Sequence, residues 1–277
     1  MYFSSAFNIL GCYEHDIRTM KLNIVPAKTG VQWVRQGIQT FWRQPIALSG
    51  LFFMFMAVMS LSSLLPVVGS VLALALLPAA TLGLMAAARE ASLGKFPLPT
   101  VLISALRAGQ QRKREMLILG VLYAGGFLGI MGLSSLFDGG TFARLYLVGG
   151  TFTRETVLDN DFQNAMWVST LLYLPLSAMF WHAPALVHWH SQPAVKSIFF
   201  SLVACLGNWR AMGMYLLTWL GVLGAMSMGV LLVASLADSA EIASVLLLPL
   251  MLLMAAMFFT SSYFTFRDSF VNDPILA

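Results

Sequence analysis

From Gln44 to Ala88 the chain carries no charged residue. A hydrocarbon layer about 30 Å thick is crossed by roughly 20 apolar residues rising 1.5 Å each, so this run is too long for a single crossing. Pro66 and Gly69, in SLLPVVGS, supply a turn that splits it in two. Four further apolar stretches follow, and the predicted spans are about 46–65, 67–88, 116–137, 165–187, 212–236 and 242–266. Only 10% of residues are charged, against about a quarter in soluble domains. The fold class is therefore all-α, a polytopic membrane helix bundle, with residues 20–277 forming one integral membrane domain.

Residues 1–19 read as a disordered tail or an extension ahead of an alternative start at Met20. No basic residue precedes the short apolar part of MYFSSAFNIL, and Glu14 and Asp16 follow it, which argues against a signal peptide. Cys12 and Cys205 cannot build a disulfide framework.

Charge supports the split of the first run. With six spans, Arg144 and Arg154 fall on one side, and the other 14 of the 16 Lys and Arg residues on the other. Merging the first two spans would send RAGQQRKRE to the face opposite the basic amino-terminal segment. Cytoplasmic segments accumulate positive charge, so a bacterial cytoplasmic (inner) membrane location with both termini cytoplasmic is expected.

A threefold repeat underlies the six spans. Pro26, Pro97 and Pro193 each precede a pair by 16 positions, namely Trp42-Arg43, Lys113-Arg114 and Trp209-Arg210. A hairpin of spans follows each, and each return span carries Leu-Pro, at Pro78, Pro175 and Pro249. The predicted unit is an amphipathic interfacial helix, a span out and a kinked span back: three hairpins in all. Their common starting side makes them parallel repeats, which permit a pseudo-threefold bundle with a central seam. In the first interfacial helix Val31, Val34, Ile38 and Phe41 form an apolar stripe beside Arg35, Gln36, Gln39 and Arg43. Residues placed at the headgroup layer are Trp33, Arg35, Trp42, Arg43, Arg112, Lys113, Arg114, Trp189, Trp209 and Arg210. Small residues step by four along two spans, Ala75, Ala79, Gly83 and Ala87 in one and Gly221, Ala225 and Gly229 in the other. They are expected to pack within the molecule.

Signs of chemistry are few. No Asp, Glu, Lys or Arg lies inside the predicted spans, which argues against an ion-coupled pump. The sequence holds no phosphate-binding loop, metalloprotease helix, nucleophile elbow or cysteine cluster, so no catalytic residue, cofactor or metal is expected. WHAPALVHWH concentrates His182, His188 and His190. At about 100° per residue His188 and His190 lie roughly 240° and 80° around a straight helix from His182, so the three do not converge on one ion unless Pro184 bends it. His188, Trp189 and His190 read as interface anchors, and His182 as a deeper hydrogen-bonding group. Pro78, Pro175 and Pro249 are candidate kinks, as static curvature or as hinges. The loop DGGTFARLYLVGGTFTRETVLDNDFQN is acidic but lacks calcium-loop spacing, and a short strand or helix is expected over Phe142–Val148.

MFWHAPALVHWHSQP, followed by KSIFFSLVACLGNWRAMGMYLL, resembles a family of uncharacterised bacterial, proteobacterial inner-membrane proteins. KLNIVPAKTGVQWVRQG shares the resemblance, which covers most of the chain from Met20 onward. That pattern has a Phe where His182 stands. The layout is more distantly similar to membrane domains attached to some glycerophosphodiesterases. The resemblance implies six spans and no activity. A non-catalytic accessory or scaffold protein is the leading expectation, its partners being the bilayer, anionic lipids and a membrane protein, with no nucleic acid. The alternative is an uncoupled transporter or flippase-like carrier of a small apolar or amphipathic molecule.

Overall fold

Six long apolar helices give the chain its form, and a computed structural model describes residues 21–63 and 68–271 of it. The tail at 1–19, Cys12 and the Pro66 turn lie outside the described residues. Strand β1 (Lys21–Leu22) leads to α1 (Thr29–Arg43), and the first two spans are α2 (Pro45–Ser63) and α3 (Val68–Ser92). A 3-10 turn (Pro99–Ile103) and α4 (Ser104–Arg107) precede the third span, α5 (Gln110–Asp138). Short helices α6 (Thr141–Leu147) and α7 (Arg154–Leu158) then lead to α8 (Asn160–Trp181) and α9 (Ala183–Trp189), which together make the fourth span. Last come α10 (Ala194–Gly207), α11 (Trp209–Leu236), α12 (Ala240–Ser269) and β2 (Phe270–Val271).

The three units recur in the packing. The two spans of each hairpin pack together, α2 with α3, α5 with α8, and α11 with α12. Each short segment then lies on the return helix of the unit before it: α4 with its 3-10 turn on α3, α10 on α8, and α1 on α12, closing the circle. The first and last described residues meet where the circle closes. Lys21 pairs with Val271 and Leu22 with Phe270 in an antiparallel ladder, and the face that holds this ladder is the terminal face. Among the described residues that face carries Lys21, Lys28, Arg35, Arg43, Arg89, Lys95, Arg107, Arg112, Lys113, Arg114, Lys196, Arg210 and Arg267, and the far face Arg144 and Arg154.

Lipid tails are as apolar as leucine, so helices in a bilayer associate through close packing and hydrogen bonds. Close packing is visible at the glycines. A Cβ on Gly120 of α5 would sit 2.1 Å from the Ala75 carbonyl oxygen of α3, and one on Gly37 of α1 2.2 Å from Ser261 Cβ of α12. The Ala75 to Ala87 stripe thus packs internally. The α11 stripe does not: Cβ atoms on Gly221 and Gly229 would meet nothing within 4 Å, and that face is exposed.

Two of the three short segments depart from expectation. In α1 the buried residues are Thr29, Gly30, Trp33, Val34, Gly37, Thr40 and Phe41, while Val31 is exposed. The helix is wedged against α11, α12 and α3, so Trp33 is wholly enclosed by protein and offers no surface to lipid. The second segment is no single amphipathic helix, because Gly109, at φ +93°, breaks it. Arg112, Lys113 and Arg114 consequently form the first turns of the span α5.

Candidate functional site

The three return helices α3, α8 and α12 surround a cavity of about 210 Å³, closed on a fourth side by α5. Pro78 lies ten residues into α3 from the far face and Tyr123 thirteen residues into α5 from the terminal face. At 1.5 Å per residue these are about 15 and 20 Å, which sets this part of the cavity near mid-bilayer, while Ser262, seven residues or about 10 Å from the end of α12, marks its reach toward the terminal face. Its apolar wall is largely aromatic: Phe180 and Trp181 from α8, Phe258 and Phe259 from α12, with Leu77, Pro78 and Met85 from α3. Five hydroxyls interrupt that wall, those of Thr81, Tyr123, Tyr173, Ser177 and Ser262, and none of the lining residues is charged.

The hydroxyls are arranged unequally. Thr81 donates to the Pro78 carbonyl (3.0 Å), Ser177 to that of Leu174 (2.8 Å) and Ser262 to that of Phe259 (2.7 Å). A hydroxyl has one hydrogen and two lone pairs, so these three keep acceptor capacity only. The Tyr123 and Tyr173 hydroxyls stand 3.4 Å apart; either can donate, which leaves the other tyrosine's hydrogen free. Trp181 fastens one end of the cavity, its Nε1 donating to Thr265 Oγ1 (3.0 Å) while its ring meets Phe258 and Tyr215 edge-on.

The proline positions separate. The helices continue through Pro78, Pro175 and Pro249. Pro78 lines the cavity, Tyr173 and Ser177 flank Pro175, and Pro249 lines an apolar groove between α2 and α12. The fourth span is interrupted instead at His182, seven residues beyond Pro175. There Ser201 of α10 enters the helical ladder: its hydroxyl accepts from the His182 backbone N–H (2.9 Å) and donates to the Ala178 carbonyl (2.7 Å). A side chain inserted between residues four apart, with Pro184 just beyond, is a sufficient cause for the break. Cys205 adds a longer contact to the same carbonyl, 3.6 Å from its Sγ, and burial pushes its thiol up to about 12.

The histidines occupy an aromatic end-cap on the terminal face. His182 is buried, its ring against Phe266 and Phe270, and neither ring nitrogen has a hydrogen-bond partner. Only its backbone makes the expected link to a neighbouring helix. His190 meets the same two phenyl rings, and burial holds its imidazole below the ordinary value. Trp189 is half-buried against Phe266 and Tyr263, with the Arg89 guanidinium 5.8 Å from its ring, so it packs on the bundle's own end. Arg112 donates to the His188 carbonyl (3.0 Å), and Glu115 accepts from the Ala194 N–H (2.8 Å) at the start of α10. Among the described residues no three His, Cys, Asp or Glu side chains converge as a metal site.

Arg35, Trp42, Arg43, Arg114, Trp209 and Arg210 are exposed, Lys113 and Arg112 half-exposed, and Arg210 lies over the Trp209 ring at 5.3 Å. Periodicity missed Asn208, Asp268 and Ser201. Asn208 accepts from the Val25 N–H and donates to the Asn23 carbonyl, tying the chain's beginning to the start of α11. Asp268 accepts from Trp33 Nε1 (2.9 Å) and pairs with Arg267 (2.7 Å). Their available signal was a lone polar residue beside a span; the partners lie up to 235 positions away.

Over 259 residues the chain is 37% identical to a probable inner membrane protein of Burkholderia thailandensis, an overlap covering 92% of this chain and 96% of that one. The chain belongs to that family. It is a multi-pass inner-membrane protein, in keeping with its six apolar helices. No family model matches the chain, and no solved structure matches it. Among the described residues the cavity at the meeting of the three units combines an apolar wall with several hydroxyl-bearing side chains, which makes it a candidate site.

Proposed function

We propose that the protein is a non-catalytic binder and uncoupled carrier of a small apolar or amphipathic molecule, with both termini cytoplasmic. The reading rests on one observation: an uncharged, partly hydroxylated cavity at mid-bilayer depth among the three return helices. Ligand sites are typically concave and mostly apolar with a few placed polar groups, and they form between helices of bundles. A cavity with no carboxylate, amine, guanidinium or imidazole in its wall offers no ready relay for proton or cation coupling. In proteoliposomes, substrate flux should depend on the protein and change with Pro175→Ala, which restores an amide hydrogen beside Tyr173 and Ser177. Absence of flux and of binding across a broad panel of amphiphiles would refute the reading.

A second reading, an accessory protein that organises anionic lipid or a membrane partner, draws on the exposed Arg35, Trp42, Arg43, Trp209 and Arg210. Basic side chains near anionic headgroups contribute about 1 kcal/mol each. Capture in mild detergent should then retain a stoichiometric partner or anionic lipid, and clean protein carrying neither would oppose it. We further propose a distant kinship with glycerophosphodiesterase-attached membrane domains, which would fit either reading and would assign no residue to a role.

A further inference from the structure

We infer that the cavity selects a neutral single-chain amphiphile with a hydroxyl head, of the long-chain alcohol or monoacylglycerol class, and admits it sideways from the bilayer between α8 and α12. The inference rests on the binding reading above and adds the head group and the route.

The head group follows from counting donors and acceptors. Thr81, Ser177 and Ser262 have committed their hydrogens to carbonyls of their own helices, so toward the cavity they offer lone pairs. The Tyr123 and Tyr173 pair contributes one free phenolic hydrogen. A complementary ligand therefore brings at least one donor and one acceptor, which an alcohol supplies in one atom. A carboxylate or phosphate would meet one donor and several acceptors, with no cation among the lining residues. The aromatic wall suggests a quaternary ammonium instead, since rings attract such cations. That attraction falls short of the desolvation of a lone charge here, where no carboxylate lines the cavity to compensate it.

Volume and packing give the route. About 210 Å³ exceeds the roughly 150 Å³ of a cavity that holds benzene, so it takes a head and the first few carbons of a chain and no more. The remaining carbons need an exit. Around the cavity α3 packs on α5, α5 on α8, and α3 on α12, whereas α8 and α12 are not a packed pair and meet at Trp181. Tyr173, which lines the cavity, is 39% exposed, so the wall is open at its position. Leu174 beside it and Met251 on α12 are exposed apolar residues along which an alkyl tail can lie.

The test uses the full-length protein in nanodiscs, a long-chain alcohol carrying a diazirine, and mapping of the labelled peptides. Label is expected on α8, α12 and α3 around Tyr173, Ser177 and Phe258, and excess dodecanol or monoacylglycerol should displace it. Dodecanoate and dodecyltrimethylammonium should not. Tyr173→Phe alone would leave the Tyr123 hydroxyl hydrogen free, so both are changed: Tyr123→Phe with Tyr173→Phe keeps both rings, removes the donor and should weaken competition by dodecanol about fivefold, as for one neutral hydrogen bond. Ser177→Phe should abolish labelling by filling the space; if that variant does not fold, the double tyrosine variant decides. Displacement by the ammonium or carboxylate probe in preference to dodecanol overturns the head-group assignment and leaves the binding reading intact. Label spread evenly over lipid-facing helices such as α11, with no competitor effective, overturns both.

Discussion

Asn208 is buried with its amide fully engaged: Oδ1 takes the Val25 N–H, and Nδ2 gives to the Asn23 carbonyl and, at 3.4 Å, to Ser269 Oγ. Truncation strands a backbone donor and acceptor, each worth about 1–3 kcal/mol when left unpaired in the interior. Asn208→Ala should therefore lower the melting temperature in detergent and speed tryptic cleavage at Lys21 and Lys28; identical melting and cleavage would show that the clamp contributes nothing. His182 behaves in the opposite sense. A buried imidazole with neither nitrogen bonded carries a polar-burial penalty of about 1–3 kcal/mol, and its neighbours Phe266 and Phe270 suit a phenyl ring equally. His182→Phe is expected to keep or raise the melting temperature, and a marked fall would reveal a role for the imidazole. A Phe at this position was the expectation from the resemblance read in the sequence. The Asn208 clamp was not expected, because its partner Asn23 stands 185 positions away and no local period encodes such a pairing.

Among the helices, spacing shows which residues share a face but not whether another helix covers it. The steps of four from Ala75 to Ala87 and from Gly221 to Gly229 look equivalent, yet α5 closes on Ala75 while the α11 stripe stays open. A similar offset turned the buried face of α1 from Val31 to Trp33 and Gly37, since its neighbours α11 and α12 approach from one side and the headgroup layer does not decide the face. The helix pair α3 and α5 gives a direct check. Gly120→Ala would drive a methyl into the Ala75 carbonyl and should separate the helices, at about 1–3 kcal/mol. Gly125→Ala on the same helix meets nothing within 4 Å and should be neutral, or slightly stabilising through helix propensity. Reversible denaturation in mixed micelles measures both, and equal effects would mean that α3 and α5 are not in such close contact. The break at His182 is a further element-scale feature that Pro184 alone foreshadowed; its other half, the Ser201 hydroxyl, comes from a helix 19 positions on.

At the scale of the whole molecule, three units with one contact rule close into a ring, and closure requires the first short helix to reach the last hairpin. This brings Lys21–Leu22 and Phe270–Val271 together on one face, the same face that an even number of crossings requires. It also brings the three return helices to the centre, which is how a cavity arises without any unit containing one. Spans, hairpins and the proline stride were legible because they are written in runs and periods. The cavity was legible only as a seam permitted by symmetry, since its wall combines side chains from four helices distant in sequence. The proposed orientation rests on charge: among the described residues thirteen Lys and Arg side chains occupy the terminal face and two the far face. Such an excess in short segments predicts that the terminal face lies in the cytoplasm. With Cys12 and Cys205 replaced by serine, Val148→Cys on the far face, where the residue is 82% exposed, should react with a membrane-impermeant maleimide in intact spheroplasts. Lys28→Cys on the terminal face should react only after lysis. The reverse pattern would invert the bundle, and it would place the basic rim of Arg35, Arg43 and Arg210 outside, where the anionic-lipid reading of that rim no longer applies.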